Sequence, residues 1–171
     1  MITATFNSGS KTATLTVNPA PSFTPVRINS GGPAYTDSLG QRWVADTDYS
    51  GGGPYTVTTT ITNTADPTLY KTSRFGSSFS YAIPAPAGTY SVTLKFAELY
   101  WTSAGKRVFN VTINGTKVLS SFDIYKAAGA AFKAVDETFI VTSTGTITFQ
   151  FTPGSAGNPL VNAIQVAASG P

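Results

Sequence analysis

The sequence predicts an all-β domain, specifically an antiparallel β-sandwich of the jelly-roll kind, on three observations. Only 11% of its 171 residues are charged, less than half the share of about 25% in ordinary soluble domains. Threonine accounts for 27 residues and aromatic residues for 12%, and both types are enriched in strands. Short alternating segments recur at intervals of about 8 to 15 residues with turn residues between them, a pattern typical of sandwiches and jelly rolls.

The first 24 residues predict a β-hairpin and a linker ahead of the main domain. Polar and apolar residues alternate on both sides of Asn7-Ser-Gly-Ser10, which has the composition of a turn, so residues 1–17 are predicted to form a hairpin. Residues 18–24 contain Pro19 and Pro21 and predict a stiff linker. The main domain is then expected over residues 25–168.

The main domain contains strand and turn signals almost throughout. Turn residues at 84–88, at Asn114-Gly115 and at 143–145 separate the strands, and Asn-Gly is the strongest short hairpin signal. Helical propensity is confined to residues 127–134, and because Gly129 interrupts it we expect a single turn or a loop there. The strands are predicted at residues 26–29, 43–45, 55–62, 79–83, 89–99, 108–113, 117–119, 138–142, 146–151 and 160–166.

Composition excludes several kinds of chemistry. The chain has no histidine or cysteine, so a Ser-His-Asp triad, a cysteine nucleophile and a disulfide framework are all excluded. The 11 basic residues outnumber the 8 acidic ones only slightly and are scattered, whereas a nucleic-acid-binding protein gathers them on one surface. The adjacent pair Lys106 and Arg107 is expected to be a solvated hairpin tip. No apolar run reaches the roughly 18 residues that a membrane span needs.

No cofactor is predicted, with one metal site left open as an alternative. Asp46, Asp48 and the backbone carbonyls of residues 51–53 would offer oxygen ligands to a structural calcium ion.

Aromatic residues at loop positions are the candidates for binding. Sugar rings have apolar faces that stack on aromatic side chains, and their hydroxyl groups need polar partners. Tyr100 and Trp101 are consecutive, and neighbours on a strand point to opposite faces, so the two can serve one site only where the strand breaks. The turn-like segment 102–105 supplies that break. The aromatic residues outside clear strand alternation are Tyr49, Tyr55, Phe75, Tyr100, Trp101 and Tyr125.

Glu98 bears on the alternative that the protein is a glycoside hydrolase. Such enzymes need two carboxyl groups about 5 to 9.5 Å apart, and the chain has only eight acidic residues. Glu98 lies in the most regular predicted strand. We therefore expect a buried carboxylate that is satisfied by backbone N–H groups or by Arg74.

An ordered series of segments over residues 26–167 resembles the malectin domains. The most specific segment is Lys95-Phe-Ala-Glu98, followed by the aromatic pair. The others include Ile28-Asn-Ser-Gly-Gly32, Asp37-Ser-Leu-Gly40, Trp43-Val-Ala-Asp46, Leu69-Tyr-Lys-Thr-Ser-Arg-Phe75, Arg107-Val-Phe-Asn-Val111, Phe122-Asp-Ile124 and Asn158-Pro-Leu-Val-Asn-Ala-Ile164.

The resemblance implies a β-sandwich with a sugar site made of loop aromatics and a carboxylate. Tyr100 and Trp101 match the consecutive aromatic pair of the family, Phe75 and Tyr49 match two tyrosines, and Asn158 follows the position of the carboxylate. That position is Gly157 in this chain, whereas the lectin has aspartate. The N-terminal hairpin resembles the last two strands of bacterial immunoglobulin-like repeats.

The function that we predict is a non-catalytic carbohydrate-binding module for neutral, glucose-type di- or oligosaccharides. The partners expected are the glycan and other domains of the same chain, with no nucleic acid and no membrane span. We expect a monomer in a secreted or cell-surface bacterial protein. An adhesion or spacer module that makes protein contacts is the main alternative, and a glycoside hydrolase is the second.

Overall fold

The computed structural model describes residues 2–6, 9–13 and 23–169, and almost all regular structure there is β-strand. A 3-10 helix, Pro67–Tyr70, and a short α-helix, α1 (Ile124–Ala128), are the exceptions within these ranges. The strands are β1 (Ile2–Phe6), β2 (Gly9–Ala13), β3 (Val26–Asn29), β4 (Tyr35–Thr36), β5 (Arg42–Ala45), β6 (Tyr49–Thr56), β7 (Thr72–Ala97), β8 (Val108–Ile113), β9 (Thr116–Phe122), β10 (Ala134–Ala156), β11 (Leu160–Val161) and β12 (Ala163–Ala168).

Strands β1 and β2 pair with each other in the segment for which the sequence predicts a hairpin. The two strands are antiparallel, with Ile2 opposite Ala13 and Phe6 opposite Gly9. Residues 7–8 of the predicted turn and residues 14–22, which include most of the predicted linker, lie outside the described residues.

The other ten strands form one hydrogen-bonded sheet, which confirms the all-β prediction. Its main path runs β4-β5-β3-β12-β7-β10-β8-β9, and β6 and β11 also pair with β7. Neighbouring strands are antiparallel except for β3 and β5, which are parallel. Side chains from both halves of β7, such as Tyr81 and Leu94, are buried in one core cluster with Phe149 and Phe151. We interpret the sheet as folding over this cluster, and a second core cluster contains Trp43 and Leu69.

The two longest strands correct the prediction of turns at residues 84–88 and 143–145. Strands β7 and β10 run through these segments, with Pro84 opposite Thr146 and a register shift between Ser143 and Gly145. The Ser143 hydroxyl donates to the carbonyl of Ala85 at 2.7 Å. The irregularity is thus a bulge fixed by a long-range hydrogen bond, and turn-type residues stay within the sheet.

Several element boundaries also differ from the prediction. Strand β6 covers residues 49–56 instead of 55–62, because Gly51 and Gly53 pair with β7 across a bulge. The predicted final strand is interrupted at Asn162. Residues 127–134 contain the end of α1, which is capped at its start by the Asp123 side chain and at its end by Gly129. Asn114 and Gly115 both have positive φ and join β8 to β9, as the hairpin signal predicts.

Among the helices that the structure describes, none has the length and apolar character needed to cross a membrane.

Candidate functional site

Four aromatic side chains converge on one pocket of about 350 Å³. Tyr55 comes from β6, Phe75 from β7, and Tyr100 and Trp101 from the segment that follows β7. The remaining lining residues are Arg107, Gly157, Asn158 and Leu160. The structure thus brings together four of the five predicted site residues, namely Phe75, Tyr100, Trp101 and Asn158.

Tyr100 and Trp101 face the pocket because β7 ends before them. The strand ends at Ala97, which is earlier than the break expected at residues 102–105. Both backbone N–H groups of the pair donate to Oε1 of Glu98 at 3.0 Å, so the carboxylate stabilises a bend in place of strand alternation. The two rings lie edge to face, with centroids 4.7 Å apart. Tyr100 keeps 62% of its surface exposed.

Phe75 and Tyr55 form the second aromatic side of the pocket. Gly53 lies opposite Phe75 on the paired strands, which sets Tyr55 opposite Ser73. The rings of Tyr55 and Phe75 have centroids 6.4 Å apart. Leu160 on β11 also lies opposite Phe75, so one residue of β7 anchors two neighbouring elements of the pocket.

Glu98 and Arg107 form a buried ion pair behind the aromatic residues. Arg107 donates from Nε to Oε2 of Glu98 at 2.7 Å and from Nη2 to Oε1 at 3.2 Å. Glu98 is fully buried, as predicted, but its cationic partner is Arg107 instead of Arg74. Arg107 is itself buried, which corrects the expectation that residues 106–107 form a solvated tip. Both oxygens of Glu98 thus accept hydrogen bonds from protein groups, and Glu98 is not among the residues that line the pocket.

Gly157 and Asn158 complete the pocket between β10 and β11. Gly157 has a φ of +61°, a conformation that side-chain-bearing residues rarely adopt. The backbone carbonyl of Asn158 accepts a hydrogen bond from Nη1 of Arg107. The backbone of this segment is therefore fixed to the ion pair.

The structure does not bring Tyr49, the fifth predicted site residue, to this pocket. The register shift at Gly52 sets Tyr49 opposite Tyr81 on β7, whereas Tyr55 lies opposite Ser73. Tyr49 is 47% exposed as a residue, and its ring packs against the guanidinium of Arg74, with the Cζ atom 3.2 Å from the ring centroid. Tyr49 is thus an exposed aromatic residue outside the pocket.

Asp46, proposed from the sequence as a calcium ligand, is engaged by protein donors. Its Oδ1 accepts from the Tyr81 hydroxyl at 2.8 Å, and its Oδ2 accepts from the N–H of Gly31 and from Arg74. Burial alone would lower the pKa of Arg74, but the hydrogen bonds and charge of Asp46 outweigh it and raise that pKa. No cluster of three acidic residues suited to a metal occurs in the described ranges. Calcium binding by Asp46 and Asp48 stays a prediction.

A second, more polar pocket of about 250 Å³ lies around Trp43. Its acidic groups already have partners. Oδ2 of Asp37 accepts from the Trp43 indole N–H at 2.9 Å, and Asp66 accepts from Tyr35 and Ser38. Burial opposes ionisation of Asp37, but the hydrogen bonds from Trp43 and from two backbone N–H groups outweigh it and lower its pKa.

Four lining residues were not predicted as site residues. Gly157 is one of them, although the resemblance names it as the position of the family's carboxylate. The sequence predicts Tyr55 at the start of a strand over residues 55–62, and only the register of β6 shows which face it occupies. Arg107 could have been inferred from the need of a buried Glu98 for a cation. Leu160 gives an ordinary core signal, and its place in the pocket follows from its pairing with Phe75.

Comparison with known proteins identifies the domain. The family model described as "Malectin domain" matches residues 24–164. Malectin-B of Xenopus laevis is 30% identical to this chain over 81% of the chain and 58% of its own length. Malectin of Homo sapiens is 30% identical over 82% of the chain and 55% of its own length. The chain thus spans somewhat more than half the length of these relatives.

Solved structures show the same fold within larger chains. The crystal structure of Bacteroides uniformis beta-glucuronidase matches with a TM-score of 0.76 and 25% identity, over 86% of this chain and 18% of that one. The ANXUR1 extracellular domain from Arabidopsis thaliana matches with a TM-score of 0.75 and 21% identity, over 82% of this chain and 47% of that one. With the family model covering nearly all of the main domain, the chain belongs to the malectin family, whose domain is a non-catalytic carbohydrate-binding domain.

Proposed function

We propose that this malectin domain binds neutral, glucose-type di- or oligosaccharides by stacking sugar rings on Trp101, Tyr100 and Phe75. The observation that carries the proposal is the convergence of four aromatic side chains on one pocket. In this proposal Tyr55 takes the role that the sequence assigned to Tyr49, because Tyr55 lines the pocket and Tyr49 does not.

The charges around the pocket support a neutral ligand. Among the described residues that line the pocket, only Arg107 carries a charge. The carboxylate of Glu98 balances that charge in a buried ion pair. No carboxylate belongs to that described lining, so charge-assisted hydrogen bonds to sugar hydroxyl groups have no acceptor there. Stacking then provides most of the affinity, and the amide of Asn158 can orient the ligand.

A glycan array tests this proposal with three proteins. The wild type should bind neutral glucose oligosaccharides, and Trp101→Ala should lose at least about tenfold in affinity because it removes a large stacking surface. Tyr49→Ala is the matched control, since it removes an exposed aromatic ring outside the pocket, and it should bind as the wild type does. Absence of glycan binding by the folded wild type would contradict the proposal and favour the adhesion or spacer alternative.

We infer that the domain acts within a secreted or cell-surface bacterial protein, as a monomeric module beside other domains. Similarity to extracellular domains and to a short part of a much longer enzyme supports such a setting. The hairpin β1–β2 would then be the end of an immunoglobulin-like repeat. We expect a single module of this kind to bind weakly, and linked copies would add avidity. Light scattering coupled to size-exclusion chromatography tests the monomer, and a dimer would contradict it.

A further inference from the structure

We propose that Glu98 and Arg107 are positioning residues that hold the aromatic surface of the pocket in its binding geometry. The inference rests on the proposed function in one respect, since the geometry that is held is the one assigned to glycan stacking. The role proposed for both residues does not depend on contact with the ligand. Their contribution lies in fixing three separate segments of the chain to one another.

Glu98 fixes the segment that carries the aromatic pair. Its carboxylate accepts four hydrogen bonds, two from the backbone N–H groups of Tyr100 and Trp101 and two from Arg107. The first two determine where β7 stops alternating, and the edge-to-face arrangement of the two rings follows that bend. Hydrogen bonds to an ionised acceptor are stronger than neutral ones, so the bend is well determined.

Arg107 connects this segment to the other side of the pocket. While Nε and Nη2 bind Glu98, Nη1 donates to the backbone carbonyl of Asn158. The guanidinium also lies near the face of Phe75, with Cζ 5.3 Å from the ring centroid. The planar fork of arginine makes these contacts at once, which the single ammonium group of lysine cannot do.

Burial indicates that the pair does more than stabilise the fold. The side chain of Glu98 is fully buried and that of Arg107 is 5% exposed, so both charges lose solvation. Two apolar side chains of similar size often stabilise a protein as well as a buried ion pair does, or better. Apolar side chains would leave the N–H groups of Tyr100 and Trp101 and the carbonyl of Asn158 without these partners. The ionic pair is therefore suited to fixing geometry.

The chain offers a matched control in a second buried ion pair. Nη2 of Arg74 lies 2.6 Å from Oδ2 of Asp46, and both side chains are at most 9% exposed. This pair binds Gly31, Gly51 and Tyr81, none of which lines the pocket. Arg74→Lys thus applies the same chemical change as Arg107→Lys to a similarly buried pair elsewhere.

The test uses the full chain labelled with 5-fluorotryptophan and observed by ¹⁹F NMR without ligand. The chain has two tryptophans, so two resonances are expected, and Trp101→Phe assigns them. Trp43 is buried in another core cluster and serves as the internal reference. Thermal unfolding of each variant and its affinity for the glucose disaccharide with the strongest array signal complete the measurements.

We expect Arg107→Lys to shift or broaden the Trp101 resonance, leave that of Trp43 unchanged, and weaken binding by at least about fivefold. Arg74→Lys should lower the unfolding temperature comparably without either effect. If Arg107→Lys does not fold, the double variant Glu98→Gln/Arg107→Met replaces it, because it leaves no unpaired charge buried.

The proposal is overturned if the Arg107 variant keeps the wild-type Trp101 resonance or the wild-type affinity, whatever its stability. It is also overturned if Arg74→Lys changes both to the same extent, since the effect would then be a general loss of structure. Failure of the wild type to bind any glycan would instead contradict the proposed function. The ligand-free Trp101 resonance still decides whether the pair positions the aromatic surface.

Discussion

The position that a Cβ atom would take on Gly157 lies 2.6 Å from the carbonyl oxygen of Lys106. Real Cβ atoms do not approach a backbone oxygen so closely, and the φ of +61° adds strain for any other residue. The resemblance to malectins assigns an aspartate to this position. In this chain the backbone around residue 157 is shaped for glycine, so the absence of the carboxylate is built into the fold of the pocket.

Gly157→Asp is therefore expected to destabilise the domain by about 1 to 3 kcal/mol instead of adding affinity. Chemical denaturation measures the loss. Asn158→Asp is the comparison, because this variant puts a carboxylate into the same pocket. Asn158 is not among the described residues with positive φ, so the substitution causes no backbone strain. Tighter glycan binding by Gly157→Asp with unchanged stability would show that the backbone accommodates the side chain.

Tyr55→Ala should weaken glycan binding about five- to tenfold, because it removes one aromatic side of the pocket. Titration calorimetry with the strongest glycan from the array measures the change. Tyr49→Ala in the same titration should match the wild type. If Tyr49→Ala weakened binding and Tyr55→Ala did not, Tyr49 would have the binding role that the sequence assigned to it, and the ligand would lie beside Arg74.

Asn162→Leu should cost at least about 3 kcal/mol of unfolding free energy. The Asn162 side chain is fully buried. It accepts from the N–H of Ala97 and donates to the carbonyls of Tyr70 and Thr72 at 2.7 to 2.8 Å. Leucine has nearly the same size but leaves three buried backbone groups unpaired, each costing about 1 to 3 kcal/mol.

Urea denaturation measures this cost, with Asn110→Leu as the control. Asn110 is only partly buried. At the surface it donates to the carbonyl of Pro153 on β10 and accepts from the N–H of Ser121 on β9, so its replacement should cost less than about 1 kcal/mol. Equal losses for the two variants would contradict the special role of Asn162.

Stability should decrease at alkaline pH, in part because of Tyr81. Burial, followed by the negative charge of Asp46, raises the pKa of Tyr81 well above its ordinary value. A tyrosine in the unfolded chain releases its proton near pH 10, so above that pH the unfolded state binds fewer protons than the folded one. The contribution is present below about pH 10 and is lost above it, at up to about 1.4 kcal/mol per pH unit.

Urea denaturation between pH 8 and 11 separates this contribution from those of the other tyrosines. Tyr81→Phe should reduce stability at pH 8, since Oδ1 of Asp46 loses a donor, and should decline less steeply than the wild type above pH 10. Parallel curves for the two proteins would show that Tyr81 ionises equally in both states.

Local signals in the sequence predicted the parts of the fold that depend on neighbouring residues. The Asn114-Gly115 hairpin follows from the backbone preferences of those two residues. The adjacency of Tyr100 and Trp101 indicated a strand end, and the strand does end nearby. By contrast, the residues at 84–88 have turn preferences, yet they stay in β7, which pairs with β10 on both sides of the bulge. At the bulge Ser143, distant in sequence, donates to the carbonyl of Ala85.

The sequence predicted the site residues that a motif identifies by itself. It did not predict those whose position depends on the pairing register of two strands. Phe75 and Asn158 could be placed through the resemblance. Tyr49 and Tyr55 both lie beside the glycine run, and only the bulge at residues 51–53 determines which one faces the pocket. The ion pair of Glu98 and Arg107 was half predicted. The burial of Glu98 was expected from a regular strand over residues 89–99, although β7 ends at Ala97. Its partner Arg107 depends on the return of the chain at β8.

The claim that a glycan stacks on the aromatic pocket is tested most directly by the two indole N–H signals in a ¹⁵N–¹H spectrum. Titration with the glucose oligosaccharide that gives the strongest array signal should shift the Trp101 signal and leave that of Trp43 in place, with the shift lost in Tyr100→Ala. A glycan that binds while the Trp101 signal does not move, or that moves Trp43 instead, would contradict this account of the site.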